Sequence, residues 1–316
     1  MSVPATRRRA TSLAERRLDR ALSAVSRLAA GSMLIFLLTI AGAGLFFAWP
    51  AIRQFGLGFL VSTTWSPAAG REAYGVLPMI YGTFATSLIA LIFAVPLGVG
   101  AAVFVSEDFL PSRLRSPLIF LVELLAAIPS VIYGFWGIFV VIPLMQSVGE
   151  WLHANLGWIP LFSTPPIGPG LLPASVVLAI MILPITTSLS RSSLAALPSD
   201  LRAASLALGA TRWTTVNRVL IPAAFSGIAG GVLLALGRAM GETMAITMLI
   251  GNSNQLSASL LAPSSTLASL VANQFAEAKG LQVNALMYAA LVLLLMTFVV
   301  NALGYRIVES VRERNR

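Results

Sequence analysis

Apolar residues run along this chain in six blocks, at about 28–49, 79–105, 118–145, 172–189, 226–250 and 285–308. Charged and turn-forming residues gather between them. Each block holds the roughly 20 apolar residues a helix needs to cross a hydrocarbon core. The pattern therefore predicts an all-α membrane protein with six transmembrane helices. Pro96, Pro129, Pro143 and Pro184 fall inside the blocks. Each removes a backbone donor and tends to kink its helix, which on the plain reading is irregular packing. In the fifth block Gly230, Gly237 and Gly241 share a face, and Gly237-x-x-x-Gly241 fits the small-residue pattern of closely approaching helices.

The longest polar interval, about 190–225, has a pattern of its own. Pro198-Ser199 reads as a helix start with Ser199 as the cap. Helical spacing follows over 200–208, and Gly209 is a left-handed stop. Thr211 then caps a second short helix running to Pro222. Leu201, Leu206, Leu208, Val216 and Val219 are apolar, while Arg202, Arg212 and Arg218 are cationic. Such an amphipathic pair lies on lipid or docks into a partner's groove, and pattern alone leaves both open.

Composition agrees with the membrane reading. The chain is 57% hydrophobic and 10% charged, with mean hydropathy +0.85 over 316 residues, against about 25% charged in soluble domains. No polar segment is long enough to form a separate domain. The expected division is a basic arm over residues 1–30 and a membrane domain over 31–316. The absence of cysteine excludes disulfides and thiolate metal sites. The net charge of +9 suggests a nucleic-acid binder until the charges are located. Arg7, Arg8, Arg9, Arg16, Arg17, Arg20, Arg27, Arg113, Arg115, Arg191, Arg202, Arg212, Arg218, Arg306, Arg312, Arg314 and Arg316 fall on one side of a six-span topology. Arg53, Arg71 and Lys279 fall on the other. The positive-inside rule then puts both termini in the cytoplasm, and no nucleic-acid partner is expected. Trp49, Trp151 and Trp158 mark the outer interface. The first block is too long for the core of a signal peptide, so it reads as an uncleaved span. The arm before it, about 13–28, is an amphipathic helix on anionic lipid or a disordered tail.

Two charges stand inside the fifth block. Arg238 and Glu242 are four residues apart, a spacing that puts them on one face of a continuous helix within pairing reach. A charge near the bilayer centre costs about 2.5–3.5 kcal/mol on insertion scales, so such residues are functional candidates. Glu123, near the inner end of the third block, is a weaker candidate, read first as snorkelling to the interface. His153, the single histidine, reads as a surface residue of an outer loop. Metalloprotease, nucleophile-elbow and phosphate-loop motifs are missing. Energy for uphill transport would have to come from a partner or an ion gradient.

The 190–225 interval resembles the cytoplasmic loop of ABC-importer permeases, E-A-A-x-x-x-G followed by I-x-L-P. Ala203, Ala204, Ser205 and Gly209 occupy the first motif, with Val219-Leu220-Ile221-Pro222 at the second. The family glutamate is replaced by Ala203 and the second alanine by Ser205. The stretch from Gly237 to Ser253, GRAMGETMAITMLIGNS, is similar to the fifth span of one permease subunit of phosphate importers. Met244-Ala245-Ile246 favours that subunit over its sister, which carries R-A-x-G-E-T-A-P. LLAAIPSVIYGFWG at 124–137 and the 182–191 stretch point the same way. The resemblance covers about Tyr74 to the C-terminus.

That resemblance implies the type I (MetI-like) permease fold. It implies a non-catalytic subunit in the bacterial inner membrane with no bound cofactor, ATP being hydrolysed by a partner. The partners implied are a homologous permease, an ATPase dimer and an extracytoplasmic phosphate-binding protein. It makes Asp200, Arg202, Ala203, Ala204, Ser205, Gly209, Ala210 and Pro222 the ATPase-coupling loop. Arg238 becomes a contact for phosphate along the path, with Glu242 orienting, neutralising or releasing it. The structural alternative is an ion pair that fixes helix register. Other functions left open are a permease for sulfate or molybdate, a scaffold signalling phosphate status, and a gradient-driven carrier.

Overall fold

Four of the six apolar blocks form single helices, and two are broken. The computed structural model describes residues 13–68, 72–107 and 109–314. Arg7, Arg8, Arg9, Arg71 and Arg316 of the charge reading lie outside them. The single helices are α1 (Leu13–Phe55), α3 (Leu77–Ser106), α7 (Leu171–Ala195) and α13 (Leu281–Arg314). Among the described residues, six helical stretches are long and apolar enough to span a membrane. They are Asp19–Phe55, Leu77–Ser106, Ser130–Leu156, Leu171–Ala195, Arg212–Gly241 and Leu281–Val311.

The third span is displaced from its expected place. Helix α4 (Ser112–Ala127) ends at Ile128, whose ψ of 128° is extended, and Pro129 follows with ψ 140°. A proline disfavours the helical conformation of the residue before it and cannot donate to the preceding turn. The span begins only after this break, as α5 (Ser130–Trp136), a π-helical turn (Gly137–Val141) and α6 (Ile142–Leu156). Glu123 therefore lies on α4, outside the third span, exposed and 3.8 Å from Arg191 of α7.

The fifth span is also redrawn. Helix α8 (Ser199–Ala207) has Pro198 at its N-cap, so Ser199 is its first helical residue and makes no cap bond. Gly209 takes a φ of +82°. Its N–H reaches Leu206 O at 3.0 Å, and the next N–H, of Ala210, reaches Ser205 O at 3.2 Å, the double closure of a left-handed helix stop. Thr211 then caps α9 (Arg212–Thr215) by accepting the Thr214 N–H at 3.2 Å. This second helix does not stop at Pro222. A π-helical turn (Val216–Leu220) carries it into α10 (Ile221–Gly241). Both π turns end two residues before a proline, Pro143 and Pro222. A wider turn there eases the clash of the ring with the preceding carbonyls.

Helices α3 and α7 run side by side in the same direction and form the spine. A Cβ on Gly98 would collide with the Thr186 side chain, so the glycine is what allows the two backbones to approach. Three apolar layers pack on this spine. Ala102, Val103, Leu194, Val216 and Leu220 form the layer beside the 199–222 loop. Ala94, Tyr133, Val177, Ile182, Ala235, Ala239, Ile246 and Leu249 form the middle.

The end far from the loop is closed by short elements. Helix α2 (Gly58–Val61) and the antiparallel pair β1 (Trp65–Ser66) and β2 (Ala73–Tyr74) place Phe59, Trp65 and Tyr74 against α13. Phe59 stacks on Tyr288 at 4.2 Å. Burial, and then the charge of Glu72, push the Tyr74 phenol up from its ordinary value. The first N–H groups of α7 are met by loop carbonyls, Leu171 N to Ala262 O at 3.2 Å and Leu172 N to Leu260 O at 2.8 Å. Helix α12 (Leu267–Gln274) is capped by Thr266 and Ser269 in reciprocal bonds. His153 sits in this region with Nδ1 2.8 Å from Phe162 O. Helix α1 adds Ala51 and Phe55 to this layer and otherwise packs along α13, where Asn284 donates to Phe47 O at 2.6 Å.

Candidate functional site: a broken helix and a clamped loop

Helix α10 ends at Gly241, and Glu242 turns out of it with ψ 126°. Helix α11 (Met244–Leu249) starts two residues later. The break removes the register that would have placed Arg238 and Glu242 on one face. Among the described residues no ion pair joins them, whereas Arg191–Glu123 and Arg202–Glu107 are paired. Each charge instead meets a helix end of opposite sign. Arg238 stands in the last turn of α10, where unsatisfied carbonyls carry partial negative charge. Glu242 precedes α11, and its Oε1 accepts the Ala245 N–H across a long 3.5 Å.

The broken segment is packed against the other break. A Cβ on Gly134 of α5 would meet the Met248 sulfur of α11, so α5 and α11 lie in close contact. Tyr133 is buried beside them and donates to Leu125 O at 2.8 Å, across Ile128–Pro129. Arg238 is exposed and Glu242 half-buried. Hydroxyls continue the polar strip: Thr243 donates to Gly241 O at 3.2 Å and Thr247 to Thr243 O at 2.7 Å. Asn252, at positive φ, then donates to Thr247 O at 2.8 Å. Of the sequence-predicted glycine face, a Cβ on Gly237 would press on Asn301 of α13, while one on Gly230 or Gly241 would meet nothing within 4 Å among the described residues.

The predicted loop residues gather at one end of the bundle. Asp200, Ala203, Ala204, Gly209 and Pro222 are exposed, with Ser205 and Ala210 half-buried. Leu208 is 89% exposed and Trp213 67%, so the loop presents apolar side chains away from the core. Ser205 and Thr215 hydroxyls lie 2.9 Å apart and tie α8 to α9. Arg202 turns the other way. Its guanidinium holds both oxygens of Glu107, with Nη2 to Oε1 at 2.9 Å and Nε to Oε2 at 3.1 Å. It also donates to Leu194 O at 2.9 Å and Leu197 O at 3.4 Å. Glu107, the C-cap of α3, is the residue that reading the sequence missed. Its only linear signal is an acid at the end of an apolar block, 95 residues from its partner.

The model of the binding-protein-dependent transport system inner membrane component family matches residues 94–316. The chain belongs to this family. The relative named phosphate transport system permease protein PstC in Mesorhizobium japonicum is 44% identical over 292 residues, covering 90% of this chain and 88% of its own. The one of that name in Haemophilus influenzae is also 44% identical, over 84% of this chain and 85% of its own. The crystal structure of a bacterial alginate ABC transporter, in complex with its periplasmic protein, contains a chain that superposes with a TM-score of 0.60. That match has 16% identity and covers 92% of this chain and 94% of the other. The fold of this family member is thus that of ABC-importer permeases. As an inner membrane component it is a multi-pass membrane protein and the permease, non-catalytic part of a transport system.

Proposed function

We propose that this permease carries inorganic phosphate into the cell as the membrane subunit of an ATP-driven importer. The cargo assignment rests on the likeness, over about nine tenths of the chain, to permeases named for phosphate transport. The site supports an anionic cargo of this kind. Arg238 is exposed, has no ion-pair partner among the described residues and sits at a break in a spanning helix. Its guanidinium fork fits tetrahedral oxyanions.

In this reading both termini are cytoplasmic, in the cytoplasmic membrane of a bacterium. The partners are a homologous permease, two ATPase subunits and an extracytoplasmic phosphate-binding protein. The chain binds no cofactor of its own. The loop from Asp200 to Pro222 docks on the ATPase through its exposed apolar residues. Closure of the ATPase dimer moves the loop, and the bundle opens outward to accept the anion delivered by the binding protein. Arg238 replaces part of the anion's hydration during passage. Glu242 limits how tightly the site holds the anion, because a second charge of the anion's own sign stands four residues away.

The test is uptake of radiolabelled phosphate by a strain lacking the gene, with and without the restored chain. Excess sulfate and molybdate serve as competitors. Restored uptake that depends on ATP and ignores the competitors supports the reading. Competition by sulfate or molybdate assigns another oxyanion. Uptake that never depended on the chain, with altered phosphate-responsive expression, assigns a signalling scaffold.

A further inference from the structure

Movement of the 199–222 loop has an evident covalent route into the bundle, through α9 and the π turn into α10. Nothing covalent ties it to α3, and only the non-helical turn 196–198 ties it to α7. Yet Arg202 is turned inward and spends its guanidinium on those two helices. It grips the carboxylate at the end of α3, one carbonyl in the last turn of α7 and one in the turn that follows. The side chains of Arg202 and Glu107 are only 26% and 14% exposed, so water screens the pair less than it does a surface ion pair. The fork geometry fixes orientation as well as distance.

Two further contacts stiffen what the fork holds. Arg115 of α4 donates to Ser106 O at 2.9 Å and so closes the end of α3 beside Glu107. Further along, Gly98 and Thr186 interlock α3 with α7. A displacement entering at Glu107 therefore reaches a pair of helices already joined. We propose that Glu107 and Arg202 are positioning residues for transport, the contact through which movement of the loop is passed to α3 and α7. This rests on the functional reading above. It adds a second output from the loop, non-covalent and separable from the one into α10.

The experiment uses the complete reconstituted complex and reads phosphate imported per ATP hydrolysed. Import by the unaltered complex tests the functional reading by itself; the variants are compared only with that complex. Glu107→Gln lowers the import-to-hydrolysis ratio about tenfold, within the usual range of an inter-site coupling, while hydrolysis stays within about twofold. Arg202→Gln lowers the ratio likewise. The double variant is no worse than the poorer single one, because both act through one contact. An unchanged ratio in Glu107→Gln, whether or not less complex assembles, overturns the proposal, and so do losses that multiply in the double variant.

A second measurement does not depend on the cargo. The chain has no cysteine, so spin labels at Phe104→Cys and Ala204→Cys report the distance between the end of α3 and α8. That distance stays fixed through the nucleotide cycle in the otherwise unaltered complex and varies with nucleotide when Glu107→Gln is added. A distance that changes with nucleotide in the unaltered complex also overturns the proposal.

Discussion

Arg238 and Glu242 flank one helix break and are held by different helix ends, the carbonyl end of α10 and the amide end of α11. They are therefore expected to respond differently to substitution. Arg238→Lys keeps the charge but loses the fork, and phosphate uptake falls about tenfold, the weight of one lost charge-assisted bond. Glu242→Gln keeps an oxygen for the Ala245 amide and has the smaller effect. Uptake by assembled complexes checks both, and near-normal transport in both would remove this pair from the path.

Ser205→Ala deletes the bond to Thr215 across the turn of the loop. The expected cost is about 1 kcal/mol of local stability, the usual net worth of one hydrogen bond. Hydrogen exchange in the loop should rise while the spans stay protected. Uniform exchange in variant and parent would show that Gly209 and the Thr211 cap suffice.

Gly98→Leu forces a large side chain against Thr186 in the spine. Overpacking of this kind costs about 1–3 kcal/mol or more, and here it parts the two central helices. The assembled complex should be recovered in low yield and with a lowered melting temperature. Gly100→Leu, where a Cβ meets nothing within 4 Å, is the control and should be tolerated.

Tyr74 has a buried hydroxyl with no hydrogen-bond partner among the described residues. Tyr74→Phe removes a polar group that gains nothing from burial, so it should be neutral or stabilising at pH 7. Above about pH 10 the parent loses stability, because its phenol resists ionising in the fold while the unfolded chain ionises freely. The variant should lack this alkaline loss. Parallel melting curves at pH 7 and pH 10.5 separate the two.

Much of this architecture can be read from residue order. Six blocks of sufficient length mark six spans, and Gly209 and Thr211 mark the two turns of the loop with their geometry intact. The misplacements share one cause. Hydropathy over 118–145 and 226–250 is continuous, so it passes through Ile128–Pro129 and Glu242–Thr243 without registering that the helix stops. Pro129 does carry a local signal, but prolines also stand unbroken inside α3 and α7. Only packing against α11 and α7 distinguishes the cases. At Glu242 the only local breaker is the preceding Gly241, and glycine also stands unbroken inside the same helix at Gly230 and Gly237. The Arg202 clamp is illegible for a different reason, because its partner is set by tertiary approach and not by spacing.

The stretch from Arg212 to Gly241 is unbroken helix apart from one π turn. Thirty residues at 1.5 Å each make a rod about 45 Å long. Pivoted near its middle, such a rod turns a tilt of about 10° into a shift of about 4 Å at each end, in opposite directions. Arg212 lies at one end and Arg238 near the other, so in the proposed function a pull on the loop in one direction would swing the guanidinium in the other. Gearing of this kind needs no change of secondary structure between the two ends.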